Sequence, residues 1–152
     1  MIRIATGNDL DQLVSLLRQL FAIEEDFVFD PEKQLRGLEL LLDCRTALVL
    51  VAEYQKKVIG MATAQLLIST AEGGPALLVE DVVVHPSEQN KGIGTALLQA
   101  LGEWGASRGA GRMQLLADKN NSPALDYYLR RDWQQTQLIC LRKYLNEGKK
   151  RQ

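Results

Sequence analysis

From Val82 to Thr95 the chain reads Val-Val-Val-His-Pro-Ser-Glu-Gln-Asn-Lys-Gly-Ile-Gly-Thr. An apolar run stops at Pro86, a polar loop follows, and Gly92 and Gly94 open the next segment. Glycine lacks Cβ, so a ligand can approach the backbone closely there. The first amides of a helix have no intrahelical acceptor and carry about half a positive charge, which suits phosphate oxygens. Lys91 adds a full charge beside them. The pattern therefore suggests a pyrophosphate held between a strand and a helix. A P-loop would follow its last glycine with Lys-Ser/Thr, whereas Gly94 precedes Thr95-Ala96. A dinucleotide fingerprint would place Gly or Ala near position 97 and an acid about 20 residues on, where Leu97 and Gln114 stand.

Two other groups of residues could do chemistry. Glu80 and Asp81 interrupt an apolar run, and strand alternation sends their carboxylates to opposite faces of a sheet. Buried, either would need a partner. Glu24, Glu25, Asp26, Asp30 and Glu32 make an acidic run with Phe27 and Phe29 among them. This is either a solvated loop or a rim that attracts a cation. His85 is the single histidine, and nothing at ligand spacing offers a metal site. Cys44 and Cys140 lie far apart without a CxxC pairing and read as reduced packing residues.

These residues need a frame. Residues 2–5 form a short strand candidate, and Thr6 with Asp9 resembles a capping box. Leu10, Leu13, Val14, Leu17, Leu20 and Phe21 then follow at helical spacing. Asp30-Pro31 announces a second helix with a stripe of Leu35, Leu38, Leu41 and Leu42. Residues 47–54 and 58–69 read as a hairpin around Gln55-Lys56-Lys57, and 76–85 as an apolar central strand. A helix from Gly92 carries Ile93, Leu97, Leu98, Leu101 and Trp104. Residues 113–117 are a strand, Ser122-Pro123 begins a helix, and 136–143 close as a last strand. The order β-α-α-β-β-β-α-β-α-β predicts an α/β fold, a mixed sheet with helices on both faces.

With these motifs in this order the chain resembles the GNAT superfamily of N-acetyltransferases. Gln89-Asn90-Lys91-Gly92-Ile93-Gly94 matches the family's Q/R-x-x-G-x-G/A loop in full. Asn121-Ser122-Pro123-Ala124-Leu125-Asp126-Tyr127-Tyr128 resembles its N-x-x-A-x-x-F/Y-Y segment, and Ile2-Arg3 with Ala5-Thr6 and Asp9 its opening. Asp132-Trp133 stands where many relatives have Gly-Phe, a difference in a turn. The resemblance implies a mostly antiparallel central sheet and an acyl-CoA donor. The amides of Asn90, Lys91, Gly92, Ile93, Gly94 and Thr95 would hold the pyrophosphate, with Gln89 heading the loop. The main chain of Val82, Val83 and Val84 would pair with the pantetheine arm like an added strand, and Asn121 would hydrogen-bond the cofactor.

Acyl transfer to an amine needs a neutral amine and a proton for the departing thiolate. The family places a tyrosine like Tyr128 beside the sulfur, so Tyr128 is the expected acid; Tyr127 reads as packing. Glu80 lies nine positions before Gln89, where polyamine acetyltransferases carry an acid at the acceptor site. It is expected to be the base or to position water, with Asp81 structural or ammonium-holding. Glu24, Glu25, Glu80 and Asp81 are then the expected acceptor-binding residues.

Composition sets the outer limits. The chain has 152 residues, 46% hydrophobic and 24% charged, with a net charge of −1. That size and balance suit one globular domain, expected over 1–146 with a basic tail at 147–152. Nothing global draws it to nucleic acid or a membrane, and no signal-peptide pattern opens it. The expected protein is a cytoplasmic enzyme, a homodimer, acetylating a small primary amine from acetyl-CoA without a metal. The alternatives are a peptide acetyltransferase and a CoA-binding module without turnover.

Overall fold

A computed structural model describes residues 1–24 and 27–146; Glu25, Asp26 and the tail 147–152 lie outside the described residues. The chain divides into two compact units, Met1–Leu115 and the remainder from Leu116.

The first unit begins with β1 (Ile2–Ile4) and a single 3-10 turn (Gly7–Asp9), which leads into α1 (Leu10–Ile23). The Asp9 carboxylate accepts from the Thr6 amide at 2.8 Å and takes both arms of the Arg3 guanidinium at 2.8 and 2.9 Å. The Arg3 bonds, chiefly, hold the Asp9 carboxyl below its ordinary range. Then α2 (Pro31–Leu42) starts where Asp30 accepts from the amides of Glu32 and Lys33 and Pro31 needs no acceptor.

Four strands follow, interrupted by one helix: β2 (Ala47–Tyr54), β3 (Lys57–Ser69), β4 (Gly74–Val84), α3 (Ile93–Ser107) and β5 (Met113–Leu115). The sheet order is β1-β2-β3-β4-β5. The first four strands run antiparallel to their neighbours, and β5 lies parallel to β4 across the α3 crossover. Gln55 and Lys56, both with positive φ (50° and 65°), make the tight turn between β2 and β3.

The two faces are covered by different helices. Leu13, Leu16 and Leu17 of α1 and Leu38 of α2 share a core with Val49, Val51, Met61 and Val83. On the other face a Cβ built on Gly60 would meet Ile93 and Leu97 of α3 at 3.3 and 3.4 Å. The expected α/β class and helices on both faces are thus present.

In the second unit, α4 (Ser122–Leu129) is capped by Asn121, whose Oδ1 accepts from the Ala124 amide at 3.2 Å. The expected closing strand at 136–143 is absent: among the described residues this stretch joins no ladder. Leu138, Ile139 and Leu141 are 86%, 81% and 86% exposed. A β-favouring sequence becomes a strand only against a partner, and without one it stays an extended segment.

Candidate active site

The loop after β4 is built from its own side chains. His85 Nδ1 accepts from the Ser87 amide at 3.2 Å and lies 2.8 Å from Ser87 Oγ, closing a 3-10 turn over Pro86–Glu88. Gln89 Nε2 donates back to the Val84 carbonyl at 3.2 Å, tying the loop to the strand that feeds it. Asn90 and Gly92 take left-handed φ of 64° and 83°, which turn the chain into α3. A side chain on Gly92 would meet nothing within 4 Å, so the space over its Cα is open. The helix ladder starts with Ala96 N–H donating to Gly92 O at 3.0 Å, leaving the amides of Ile93 and Gly94 at its head. Lys91 Nζ lies 2.8 Å from Glu88 Oε2, so its charge is shared and not held wholly for a ligand. A recess of about 500 Å³ adjoins this loop, with Tyr54, Lys91, Gly92 and Ile93 among its walls.

The strand feeding the loop has an open edge. β5 pairs with β4 only at Leu77, Leu78 and Val79. From Glu80 to Val84, among the described residues, no strand continues that edge. The main chain of Val82, Val83 and Val84 is paired with β3 on one side; on the other the Val84 carbonyl takes the Gln89 side chain, and among the described residues no strand covers the edge. An extended amide-bearing ligand fits such an edge, as β-augmentation does for peptides.

At the head of this open edge the ladder is irregular. Ala62 pairs with Val82 and Ala64 with Val79, so Thr63 alone opposes Glu80 and Asp81. This is a β-bulge, and it overturns the expected division of the two carboxylates between faces. Cross-strand partners share a face. Gly60, Ala62 and Ala64 alternate on the α3 side, and so do their partners Val84, Val82 and Val79. The two residues between Val79 and Val82 therefore both turn to the α1/α2 side. Thr63 Oγ1 donates to Asp81 Oδ2 at 3.0 Å and accepts the Asp81 amide at 3.1 Å. Burial first, then the neighbouring Glu80 charge, raises the Asp81 carboxyl from its ordinary value to about 6, against the Thr63 bond. Glu80 itself is exposed.

The remaining expected residues divide between the units. Glu24 follows α1 directly, its amide donating to the Leu20 carbonyl at 3.2 Å. Glu25 lies outside the described residues. The loop's aromatic side chains are engaged with α1: Phe27 stacks on Phe21 at 5.4 Å, and the Arg18 guanidinium lies 4.7 Å from the Phe29 ring centre. Asp30 is committed to capping α2. In the second unit, Tyr128 lies edge-on to Trp133 and Tyr127, at 5.5 and 5.4 Å between ring centres. Asn121 has its oxygen on the cap of α4, so a bond to a cofactor falls to its NH2 group. Among the described residues there is no cluster of three or more metal-ligating side chains.

Residues 12–133 match the model of the acetyltransferase (GNAT) family. The chain belongs to this family. The family is described as one of acetyltransferases. The GNAT chain is 33% identical over 63 residues to a streptothricin acetyltransferase of Streptomyces lavendulae, a match covering 41% of this chain and 33% of that protein. The match thus spans about a third of that relative's length. An aminoglycoside acetyltransferase from an uncultured soil metagenomic sample, solved with sisomicin, is 25% identical with a TM-score of 0.76, each chain covered to 96%. The aminoglycoside N-acetyltransferase AAC(6')-Iy, solved with CoA, has the same fold at 19% identity, with a TM-score of 0.81, and 96% of this chain and 95% of that one covered.

Proposed function

We propose that this GNAT chain moves the acetyl group of acetyl-CoA directly onto a primary amine of a small cationic molecule, with both substrates bound together. The observation that carries this reading is the bulge at Glu80 and Asp81. There two carboxylates turn to one face of the strand whose open edge runs into the glycine loop. Acetyl-CoA fits what lies downstream: a main-chain edge that no strand covers among the described residues, for an amide-bearing arm, and an uncovered left-handed glycine before a helix head. When bound it supplies an activated thioester.

The protein's part is proton management and placement. Asp81, held by Thr63 and titrating near 6, accepts the proton that the ammonium must lose before attack, directly or through water. That reverses the weights expected of the pair, since the exposed Glu80 suits holding a substrate cation better than receiving a proton in a desolvated site. As the C–N bond forms and the C–S bond breaks, the Tyr128 hydroxyl is the proposed proton donor to the thiolate. Glu24, directly after α1, is proposed to extend the negative field, together with its sequence neighbour Glu25. A relative of the streptothricin type and a neighbour solved with sisomicin support a polycationic acceptor. A cytoplasmic homodimer belongs to the same reading; among the described residues no helix is long and apolar enough to cross a membrane.

The test is release of free CoA thiol from acetyl-CoA in the presence of sisomicin, streptothricin, spermidine, an anionic amino acid and a peptide series. Turnover confined to the cations is the expected result. Preference for peptides or anions would overturn the acceptor class, and thiol release with none of them would leave a binding module.

A further inference from the structure

The recess of about 500 Å³ beside the glycine loop lies across the head of α3 from the open edge of β4. A Cβ on Gly60 of β3 would meet Ile93, so β4 falls to one side of the helix head and β2 and β1 to the other. The recess is on the β1/β2 side. Its apolar lining comes from Ile2 of β1, Ala52 of β2, Ile59 of β3, and Ile93 and Ala96 of α3. Ile2 pairs with Ala52 and Ala52 with Gly60, so these residues share the α3 face of the sheet.

Tyr54, two residues beyond Ala52, lines the same recess. It is 58% exposed, and among the described residues no other ring and no guanidinium lies against it. An apolar lining with one uncommitted aromatic ring suits a flat heteroaromatic group. Glu53 and Glu88 complete the chemistry. Both line the recess, and each is already held by a cation, Arg3 at 2.9 Å and Lys91 at 2.8 Å. Their charge is thus offset, while their oxygens keep capacity to accept from a ring-bound amino group.

Gly92 and Ile93 join this recess to the donor's place. They line it, and they also stand at the head of α3, where the pyrophosphate is assigned. A diphosphate carries its two ester arms on different phosphorus atoms, so the arms leave it separately. The amide-bearing arm is assigned to the β4 edge, and the recess is what the other side of the helix head offers to the second arm. We propose that this recess seats the nucleoside end of the donor, with its purine stacked on the Tyr54 ring. The inference rests on the reading of acetyl-CoA as donor.

The test reads donor binding by calorimetry, with no acceptor present. The probes are acetyl-CoA, acetyl-phosphopantetheine, which lacks the nucleoside, and the adenosine bisphosphate half of CoA, which lacks the arm. In the unaltered protein the adenosine bisphosphate should displace acetyl-CoA. Tyr54→Ala should weaken acetyl-CoA and the adenosine bisphosphate about tenfold each, the worth of one base–aromatic stack. It should leave acetyl-phosphopantetheine within about twofold. Tyr54→Phe keeps the ring and should bind all three within about twofold of the parent. Removing so exposed a side chain should move the ligand-free melting temperature by no more than about 2 °C. Parental affinity of Tyr54→Ala for acetyl-CoA overturns the proposal. Equal losses for acetyl-CoA and acetyl-phosphopantetheine also overturn it, since Tyr54 would then support the glycine loop and not the nucleoside. Either result leaves the acyltransferase reading in place. If the unaltered protein binds no acetyl-CoA, the donor reading falls and this inference with it.

Discussion

Asp81 carries two opposed demands, and both can be measured. A base for an ammonium must be ionised near neutrality and yet hold a proton well, which a carboxyl near 6 does better than one near 4. The acid limb of kcat/KM should therefore turn over at about pH 6. Asp81→Asn should lower kcat by roughly 10²–10³-fold and abolish that limb. The same shift has a stability side. The folded state holds this proton more tightly than the unfolded chain, so stability is lost as pH rises from about 4 to about 6 and stays lost above it. Asn keeps a partner for Thr63 without the charge. Asp81→Asn should melt above the parent at pH 7.5 by an amount worth on the order of 2 kcal/mol, and match it at pH 4. A lower melting point at pH 7.5 would count against a strained base. Tyr128→Phe tests the other proton. Its expected cost is about 10²-fold or more in kcat, with acetyl-CoA binding unchanged, read under conditions where chemistry limits the rate.

Among the elements, β4 and the start of α3 form one device. Gly92 at φ 83° cannot be replaced without strain, and its open Cα side is where phosphate would lie. Acetyl-CoA should raise the melting temperature of the parent by mass action. In Gly92→Asp the rise should vanish, since an added carboxylate repels phosphate across the same space; an undiminished rise would remove the cofactor from this loop. This device was legible in the sequence because it depends on residue types, two glycines and a glutamine, at fixed spacing. The bulge was not legible. Alternation is a property of regular strands, and nothing in Val79-Glu80-Asp81-Val82 announces that two residues face one; only the register does. The segment 136–143 erred the other way, having strand composition without a strand's partner.

At the scale of the whole molecule, a net charge of −1 hides an uneven distribution. Glu24, Glu80 and Asp81 are the acids proposed to face the acceptor, with Glu25 next to Glu24 in the sequence, and Lys149-Lys150-Arg151 offsets three of the acidic charges in the total. A field of this kind acts over about 8–10 Å at physiological salt. Apparent KM for a polycationic amine should therefore climb as salt goes from about 20 to about 300 mM, while kcat holds steady. The pair Glu24→Gln and Glu25→Gln should raise KM at low salt and flatten the salt dependence. If the pair changes neither, the loop is solvated surface and the carboxylates of β4 act alone.

The bulge also says something about how this strand could change over generations. Remove Glu80 from the chain and the order Val79-Asp81-Val82 alternates without a break, with Asp81 squarely opposite Thr63. β4 thus carries one residue more than the ladder needs at this point. The bulge has the form of a one-residue insertion that the sheet absorbs locally, placing a second carboxylate on one face while the pairs on either side keep their register. A lineage could gain or lose the second charge by a change in length alone, keeping every core contact, and so retune which amines it accepts without redesigning the fold.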